Sequence, residues 1–271
     1  EMCCEAFEEK TNFIPHAVPK DMFFQMEEEG IHENRISILG EGREDDFVGI
    51  WVNRNAKRKR PSDLLEGWQI FLDNLEKKHG HRKASLIMHT EPLDPEGPNL
   101  FMVAERLGIQ DSILFSRDRL DFDKMNVLYN VADFCINCSY AEGFGLSTLE
   151  SMQTGTPIIA VKTGGLTRQV VDHRDNSENG VAIDVDLKTM VGSQSVPYIY
   201  EDYATAQSIA NALMEMYEKS PEEKATLSKK VKDYVASEFN MQKTVDMWHE
   251  TMSDCIENWE DRHQRWECIT I

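Results

Sequence analysis

The stretch that most constrains this chain is residues 138 to 150, CSYAEGFGLSTLE. It holds two carboxylates, Glu142 and Glu150, eight positions apart, around the glycine turn Gly143-Phe144-Gly145. The run from Leu146 onward reads as a helix start, and Asp133 to Cys138 ahead of it reads as a short buried strand. Strand, glycine turn, helix is the arrangement that aims free backbone N–H groups and the positive helix end at a phosphate. Glycine lets the backbone come close to a ligand because no Cβ intervenes. Glu142 stands before the turn and Glu150 about two turns into the expected helix. A ligand touching both needs hydroxyls at its two ends and an anion in the middle. A nucleotide sugar, with its sugar, diphosphate and ribose, has that layout.

A second feature lies upstream. Phe47 to Asn53 (FVGIWVN) reads as a central strand, apolar, β-branched and aromatic. At its carboxyl end come Arg54, Lys57, Arg58, Lys59 and Arg60, five cations within seven residues of a chain whose formal net charge is −19. In open α/β sheets ligands sit outside the carboxyl ends of the strands, so this run is placed to clamp a diphosphate; a solvated basic loop is the plainer reading. The elements between and after these two features alternate. Helices are predicted at 62–78, 99–107, 123–131 and from 164 to 171, and strands at 84–89, 112–115, 156–161 and 180–185. Residues 192–203 read as irregular, and three helices follow at 204–219, 221–238 and 241–266. Strands separated by helices imply a parallel sheet with right-handed crossovers. The expected fold is therefore α/β, a Rossmann-like parallel sheet with flanking helices and C-terminal helices.

On these residues a resemblance rests. EGFGLSTLE resembles the Glu-x7-Glu motif of retaining glycosyltransferases with the GT-B fold, most closely the large family 4. GTPIIAVKTGGLTRQVV, residues 155 to 171, is similar to that family's next strand and glycine turn, the turn that closes on the sugar. NFIPHAVPKDMFF, residues 12 to 24, resembles its interdomain linker, and VNRNAKRKRP, residues 52 to 61, its basic phosphate loop. The likeness runs through nearly the whole chain in the right order. It implies the nucleotide-sugar-binding half of a GT-B enzyme, with 1–30 as linker, 31–240 as donor-binding domain and 241–271 as the helix that crosses back to the acceptor domain. The N-terminal acceptor domain itself is expected to lie outside this chain or on a partner chain.

The resemblance also assigns roles. The family pattern in the basic loop is Arg, four residues, then Lys, both gripping the donor diphosphate; Arg54 and Lys59 match it. The family often has glycine after that lysine, where Arg60 stands here, which leaves open whether Lys57 or Lys59 points inward. Glu142 would face the donor sugar and Glu150 the ribose hydroxyls. Gly143, Phe144, Gly145, Leu146 and Ser147 would bring backbone N–H groups to the phosphates, with Thr148 adding a hydroxyl. Ser116 and Arg117 fall on the loop that carries the nucleotide base. The implied reaction moves a hexosyl-type sugar from a uridine or guanosine diphosphate to an acceptor glycan, protein or small molecule with retention of configuration. The residues do not distinguish a nucleophilic Glu142 from one that orients the sugar. A binding module without catalysis, and a nucleotide-sugar epimerase of the same fold, remain the alternatives; a phosphorylase would need a pyridoxal lysine in a matching context, and none is found.

Composition narrows the rest. A strongly acidic chain disfavours direct binding to nucleic acid or anionic lipid. No run of 18 apolar residues is present, so no transmembrane segment is expected, and EMCCEAFEEK at the start lacks the order of a signal peptide. Of the cysteines at 3, 4, 135, 138, 255 and 268, Cys135 and Cys138 sit three apart in a strand, on opposite faces, where they chelate poorly. Reduced, buried thiols in a cytoplasmic protein are the expectation. Asp184-Val185-Asp186 resembles a metal-binding Asp-x-Asp, yet chance matches are common among 48 acidic residues, so no metal and no cofactor beyond the sugar donor are expected.

Overall fold

The computed structural model describes residues 12 to 259. Cys3, Cys4 and Cys268 and the far end of the last predicted helix lie outside them. Six parallel strands form one sheet: β1 (Phe47–Val52), β2 (Ala84–His89), β3 (Ile113–Ser116), β4 (Phe134–Asn137), β5 (Ile158–Val161) and β6 (Gly180–Ile183), in the order β3-β2-β1-β4-β5-β6. Chain order reverses between β1 and β4. The connection leaving β1 travels to one side of the sheet and the one leaving β4 to the other, so a crevice opens between their carboxyl ends, the switch point at which such sheets hold ligands. The basic run follows β1 and the glycine turn follows β4. Both sequence features therefore arrive at one place because of strand order, not because of sequence distance.

Helices cover both faces. α2 (Pro61–His79), α3 (Leu100–Leu107) and α7 (Ala206–Glu218) lie on one side. α2 buries Leu64, Leu65, Trp68, Phe71, Leu72 and Leu75, the stripe that helical spacing predicts. Each such side chain contributes roughly 1.5–3 kcal/mol of transfer free energy. α4 (Phe122–Val131), α5 (Leu146–Gln153), α6 (Gly164–Val170) and α8 (Pro221–Glu238) lie on the other side, followed by α9 (Met241–Glu257). Cys135 packs into this second core and Cys138 into the first. Burial pushes the Cys135 thiol up to about 12, and that of Cys138 the same way, as befits inert apolar side chains. No helix among the described residues is long and apolar enough to cross a membrane.

Three features go beyond the sequence reading. First, the boundary expected at residue 31 falls inside a helix, α1 (Glu28–Leu39), of which only Leu39 is buried. Its sequence has no apolar stripe, and it is held by Arg35, which donates to the Val131 carbonyl at 2.9 Å and pairs with Asp133 at 3.0 Å. Second, residues 12–27, expected as a linker, pack on the domain. Val18 and Phe23 are buried, the Phe24 N–H donates to Asn126 Oδ1 at 2.9 Å, and Asn130 Nδ2 returns a bond to the Phe24 carbonyl at 2.9 Å. Third, the stretch 192–203, expected as irregular, ends in a strand, β8 (Tyr200–Tyr203), which pairs antiparallel with β7 (Leu187–Met190) ahead of it. Asp186 accepts from the Thr205 N–H at 2.7 Å and from Ser208 Oγ at 2.7 Å, at the start of α7, and Asp184 pairs with Lys162. Both carboxylates of the Asp-x-Asp are thus engaged by the protein's own groups.

Candidate functional site at the switch point

After β1 the chain makes a single 3-10 turn, Lys57–Lys59. Lys59 is turned inward and is 8% exposed, while Lys57 is exposed to solvent. That answers the question left open by the sequence. The Lys59 Nζ donates to Glu142 Oε2 across the crevice, and both side chains are 10% exposed. Burial pushes the Lys59 ammonium below its ordinary value, against the opposing pull of Glu142. Arg58 approaches the same carboxylate at 3.4 Å and donates to the Ala141 carbonyl at 3.1 Å. Arg60, standing where glycine is frequent in the resembling family, adopts the left-handed conformation, φ 53° and ψ 44°, that glycine adopts without cost. Its guanidinium pairs with Asp63 and lies over the Tyr203 ring.

Arg54 departs from the expected clamp. Its guanidinium is held by Asp94 at 2.8 Å and Glu96 at 3.2 Å, on the loop that follows β2. The adjacent Asn55 is buried and ties the same loops together, donating to the Pro92 and Pro98 carbonyls at 3.1 and 2.8 Å. Arg58, four residues on, stands beside Lys59 instead. Spacing alone did not separate the two arginines, because the carboxylates that capture Arg54 are 40 and 42 residues away in sequence.

After β4, Asn137 Oδ1 accepts from the Ser139 N–H at 3.1 Å and from its hydroxyl at 2.6 Å, which bends the chain toward Glu142. Gly145 then caps α5 in a left-handed conformation with φ 93°; a Cβ there would sit 2.7 Å from Leu166 and 2.8 Å from Thr148. The intrahelical series starts with the Leu149 N–H bonding the Gly145 carbonyl at 3.3 Å. The N–H groups of Leu146, Ser147 and Thr148 therefore have no acceptor within the helix. Gln169, fully buried on α6, donates to the Phe144 carbonyl at 2.7 Å and the Gly145 carbonyl at 3.1 Å. It anchors the carbonyl side of the turn to the protein, an arrangement that no local signal in the sequence announces.

Thr148 differs from its expected role. Its hydroxyl is buried and faces inward, bonding the Gly145 carbonyl at 2.7 Å and Gln169 at 2.6 Å. It braces the turn from behind. Leu146 is half exposed, and the Phe144 ring packs edge-on against His16 and Phe239, 4.9 and 5.7 Å between centroids. Glu150 lies just over one turn into α5, not about two, because the helix begins at Leu146. Its carboxylate accepts from the Tyr129 hydroxyl at 2.6 Å. Burial raises Glu150 above the usual carboxylate range, with the Tyr129 bond opposing, and pushes the Tyr129 hydroxyl well up. Tyr129 was legible only as a core contact.

The second glycine turn closes on the first. The Gly165 N–H donates to the Glu142 carbonyl at 3.0 Å, and a Cβ on Gly164 (φ 48°) would lie 2.0 Å from that oxygen. At the far side of the crevice, Ser116 and Arg117 are both engaged by the end of β2 and its loop. Ser116 Oγ lies 2.9 Å from His89 Nδ1, and Arg117 pairs with Glu91 at 3.2 Å. Lys59, Arg58, Glu142 and the start of α5 are thus brought together, with Glu150 one turn along the same helix.

Known proteins bear on this arrangement. The family model "Glycosyl transferases group 1" matches residues 39–212, well over half of the chain. The D-inositol 3-phosphate glycosyltransferase of Corynebacterium jeikeium (strain K411) is 29% identical over 187 residues, 63% of this chain and 43% of that protein. The chain therefore spans less than half the length of that relative. Among solved structures, Anabaena Alr3699/HepE in complex with UDP and glucose superposes with a TM-score of 0.70 at 18% identity, covering 91% of this chain and 57% of that one. The C-terminal domain of the glycosyl transferase group 1 family protein LpcC of Francisella tularensis superposes with a TM-score of 0.60 at 20% identity, covering 83% of this chain and 99% of that domain. These structures share the fold, that of one half of a GT-B enzyme. By its family match over residues 39–212, the chain belongs to the glycosyl transferases of group 1.

Proposed function

We propose that this chain holds a nucleoside-diphosphate sugar at the carboxyl edge between β1 and β4. With an acceptor-binding unit it would transfer the sugar to a hydroxyl with retention of configuration. The observation that carries the reading is the buried Lys59–Glu142 pair across the switch point, beside the N-terminus of α5. In this reading the diphosphate lies against Lys59, Arg58 and the N–H groups at Leu146 and Ser147. Glu142 receives sugar hydroxyls and Glu150 the ribose. HepE, which shares the fold, carries UDP and glucose in its structure.

The hard step is the parting of the anomeric carbon from the diphosphate oxygen. The electron pair leaves with the diphosphate, and the growing charge falls on donors already in place. The acceptor oxygen forms the new bond on the same face, and its proton passes to the departing phosphate oxygen. No cofactor beyond the donor is assigned. Isothermal titration with UDP, GDP and their glucose and mannose conjugates tests the reading: at least one binds the parent, and Lys59→Ala weakens it. Equal binding by parent and variant refutes the clamp. Binding without hydrolysis or transfer once an acceptor-binding domain is supplied would favour a non-catalytic module, and release of an altered sugar nucleotide without any acceptor would favour an epimerase.

A further inference from the structure

The β7–β8 hairpin reaches back onto the site. β8 pairs with β7 along one edge, and its other edge docks on the loop that carries Glu142: the Asp202 N–H donates to the Tyr140 carbonyl at 2.8 Å. The Thr163 hydroxyl lies 2.8 Å from Asp202 Oδ2 and 3.3 Å from that same carbonyl. One hydroxyl proton serves one acceptor well, and the shorter, charge-assisted bond to Asp202 is the stronger. Tyr140 in turn donates its N–H to the Arg58 carbonyl at 3.1 Å, and its ring lies 5.4 Å from that of Tyr203. Residue 140 is thus the junction of three segments: the basic turn bearing Lys59, the loop bearing Glu142, and the second glycine turn that begins at Thr163. The Asp202 side chain is 16% exposed and makes its ion pair, with Lys188, on its own hairpin at 3.7 Å.

We infer that Asp202 is a positioning residue: through the Tyr140 carbonyl and Thr163 it fixes the loop that presents Glu142 to Lys59. The functional part of this inference rests on the donor-binding reading above; the structural part does not. Glu142 is two residues beyond Tyr140, and its own carbonyl is held by Gly165, two residues beyond Thr163. Loosening the Asp202–Thr163 bond therefore frees the segment at its Gly165 end, while the backbone bonds from the Asp202 N–H to the Tyr140 carbonyl and from the Tyr140 N–H to the Arg58 carbonyl remain and keep the Lys59 turn in place.

The experiment uses the full chain with Thr163→Val, which keeps shape and loses the hydroxyl, Thr163→Ser, which keeps the hydroxyl, and Asp202→Ala. Two quantities are read: hydrogen exchange of the amides from 138 to 145, and binding of UDP-glucose and of UDP. Thr163→Val and Asp202→Ala are expected to speed exchange there and weaken UDP-glucose roughly fivefold, as for loss of one ordinary hydrogen bond, with UDP changed less. Thr163→Ser restores both. In a Glu142→Gln background the loss of UDP-glucose affinity disappears, because the effect travels through Glu142. Unchanged exchange at 138–145, or a binding loss of equal size in the Glu142→Gln background, overturns the inference. Should the parent bind neither UDP nor UDP-glucose, the donor reading is what fails, and the exchange measurement alone decides whether Asp202 holds this loop.

Discussion

Lys59→Met is the sharpest perturbation of the site. The substitution keeps an unbranched side chain and removes the charge, leaving Glu142, 10% exposed, without its nearest partner. Breaking a buried pair by removing one member costs about 3–5 kcal/mol when the remaining charge is uncompensated. Here compensation is partial. Arg58 stays at 3.4 Å and the Ser139 hydroxyl at 3.5 Å, but the Arg58 side chain is 48% exposed and its attraction is screened. A loss of about 2 kcal/mol follows, or a drop in Tm of roughly 4–8 °C for a domain of this size. Calorimetry measures it. The same substitution removes a charge-assisted bond to a bound diphosphate, which weakens nucleotide binding roughly 10- to 150-fold. The two effects separate in the double variant Lys59→Met/Glu142→Leu. Most of the stability returns, since no buried charge is left alone, while nucleotide affinity stays low. Parent-like binding of UDP and GDP by Lys59→Met, or a double variant no more stable than the single, would refute the reasoning.

Other expectations follow from the same geometry. Glu150→Gln stabilises the fold at neutral pH and loses that advantage in acid. The folded-state carboxyl titrates above its unfolded value, so the cost of ionising it is absent at low pH and grows as pH rises through the unfolded and then the folded value; urea titrations at pH 4 and pH 7 read the difference. Asp172 is held down at about 2, chiefly by the Arg174 guanidinium. Its contribution is complete above about pH 4 and vanishes as pH falls toward 2, so Arg174→Ala costs roughly 1 kcal/mol at pH 7 after solvent screening and flattens that limb of the acid titration. Gly164→Ala forces a Cβ to 2.0 Å from the Glu142 carbonyl and is expected to cost several degrees of Tm. Gly143→Ala meets nothing within 4 Å, so stability is retained and any lost nucleotide affinity reports ligand approach at that residue.

Much of the fold was legible because it is written in local chemistry. The strand at 84–89 and the helix at 221–238 stand where a short run of buried residues, Pro at N1 and the Ser220–Glu223 capping box place them. The turn at Gly145 was legible because only glycine adopts such a φ without strain. What stayed hidden depends on partners far away in the chain. α1 has no apolar stripe to announce it and is fixed by Arg35 reaching residues 96 and 98 positions ahead. The hairpin at 187–203 alternates too weakly to read as strands and gains its place by docking on Tyr140. Arg54 fits the spacing of a phosphate clamp, yet the acidic loop after β2 captures it. Gln169, within the 155–171 stretch, and Tyr129 were given no polar role of their own, but a buried amide and a buried phenol must find polar partners, and the candidate site supplied them.

The basic run is not a bare cationic patch. Arg54 is paired with Asp94 and Glu96, Arg58 and Lys59 with Glu142, and Arg60 with Asp63. An incoming diphosphate therefore competes with Glu142 for Lys59. The competition has a use in the proposed reaction: as phosphate oxygens take over the ammonium, the carboxylate is released to accept sugar hydroxyls. Glu142→Gln tests this exchange directly. Without the competing carboxylate, bare UDP is expected to bind a fewfold more tightly than to the parent, while the added affinity due to a sugar disappears. The gain should be larger at lower pH, because burial already depresses the Lys59 ammonium and removal of Glu142 takes away the groups that oppose it. The cation then needs a higher proton concentration to persist. Titration of UDP and UDP-glucose against Glu142→Gln between pH 6 and pH 8 reads both effects, and a variant that binds UDP more weakly than the parent at every pH would show that Glu142 helps to hold the diphosphate and does not yield Lys59 to it.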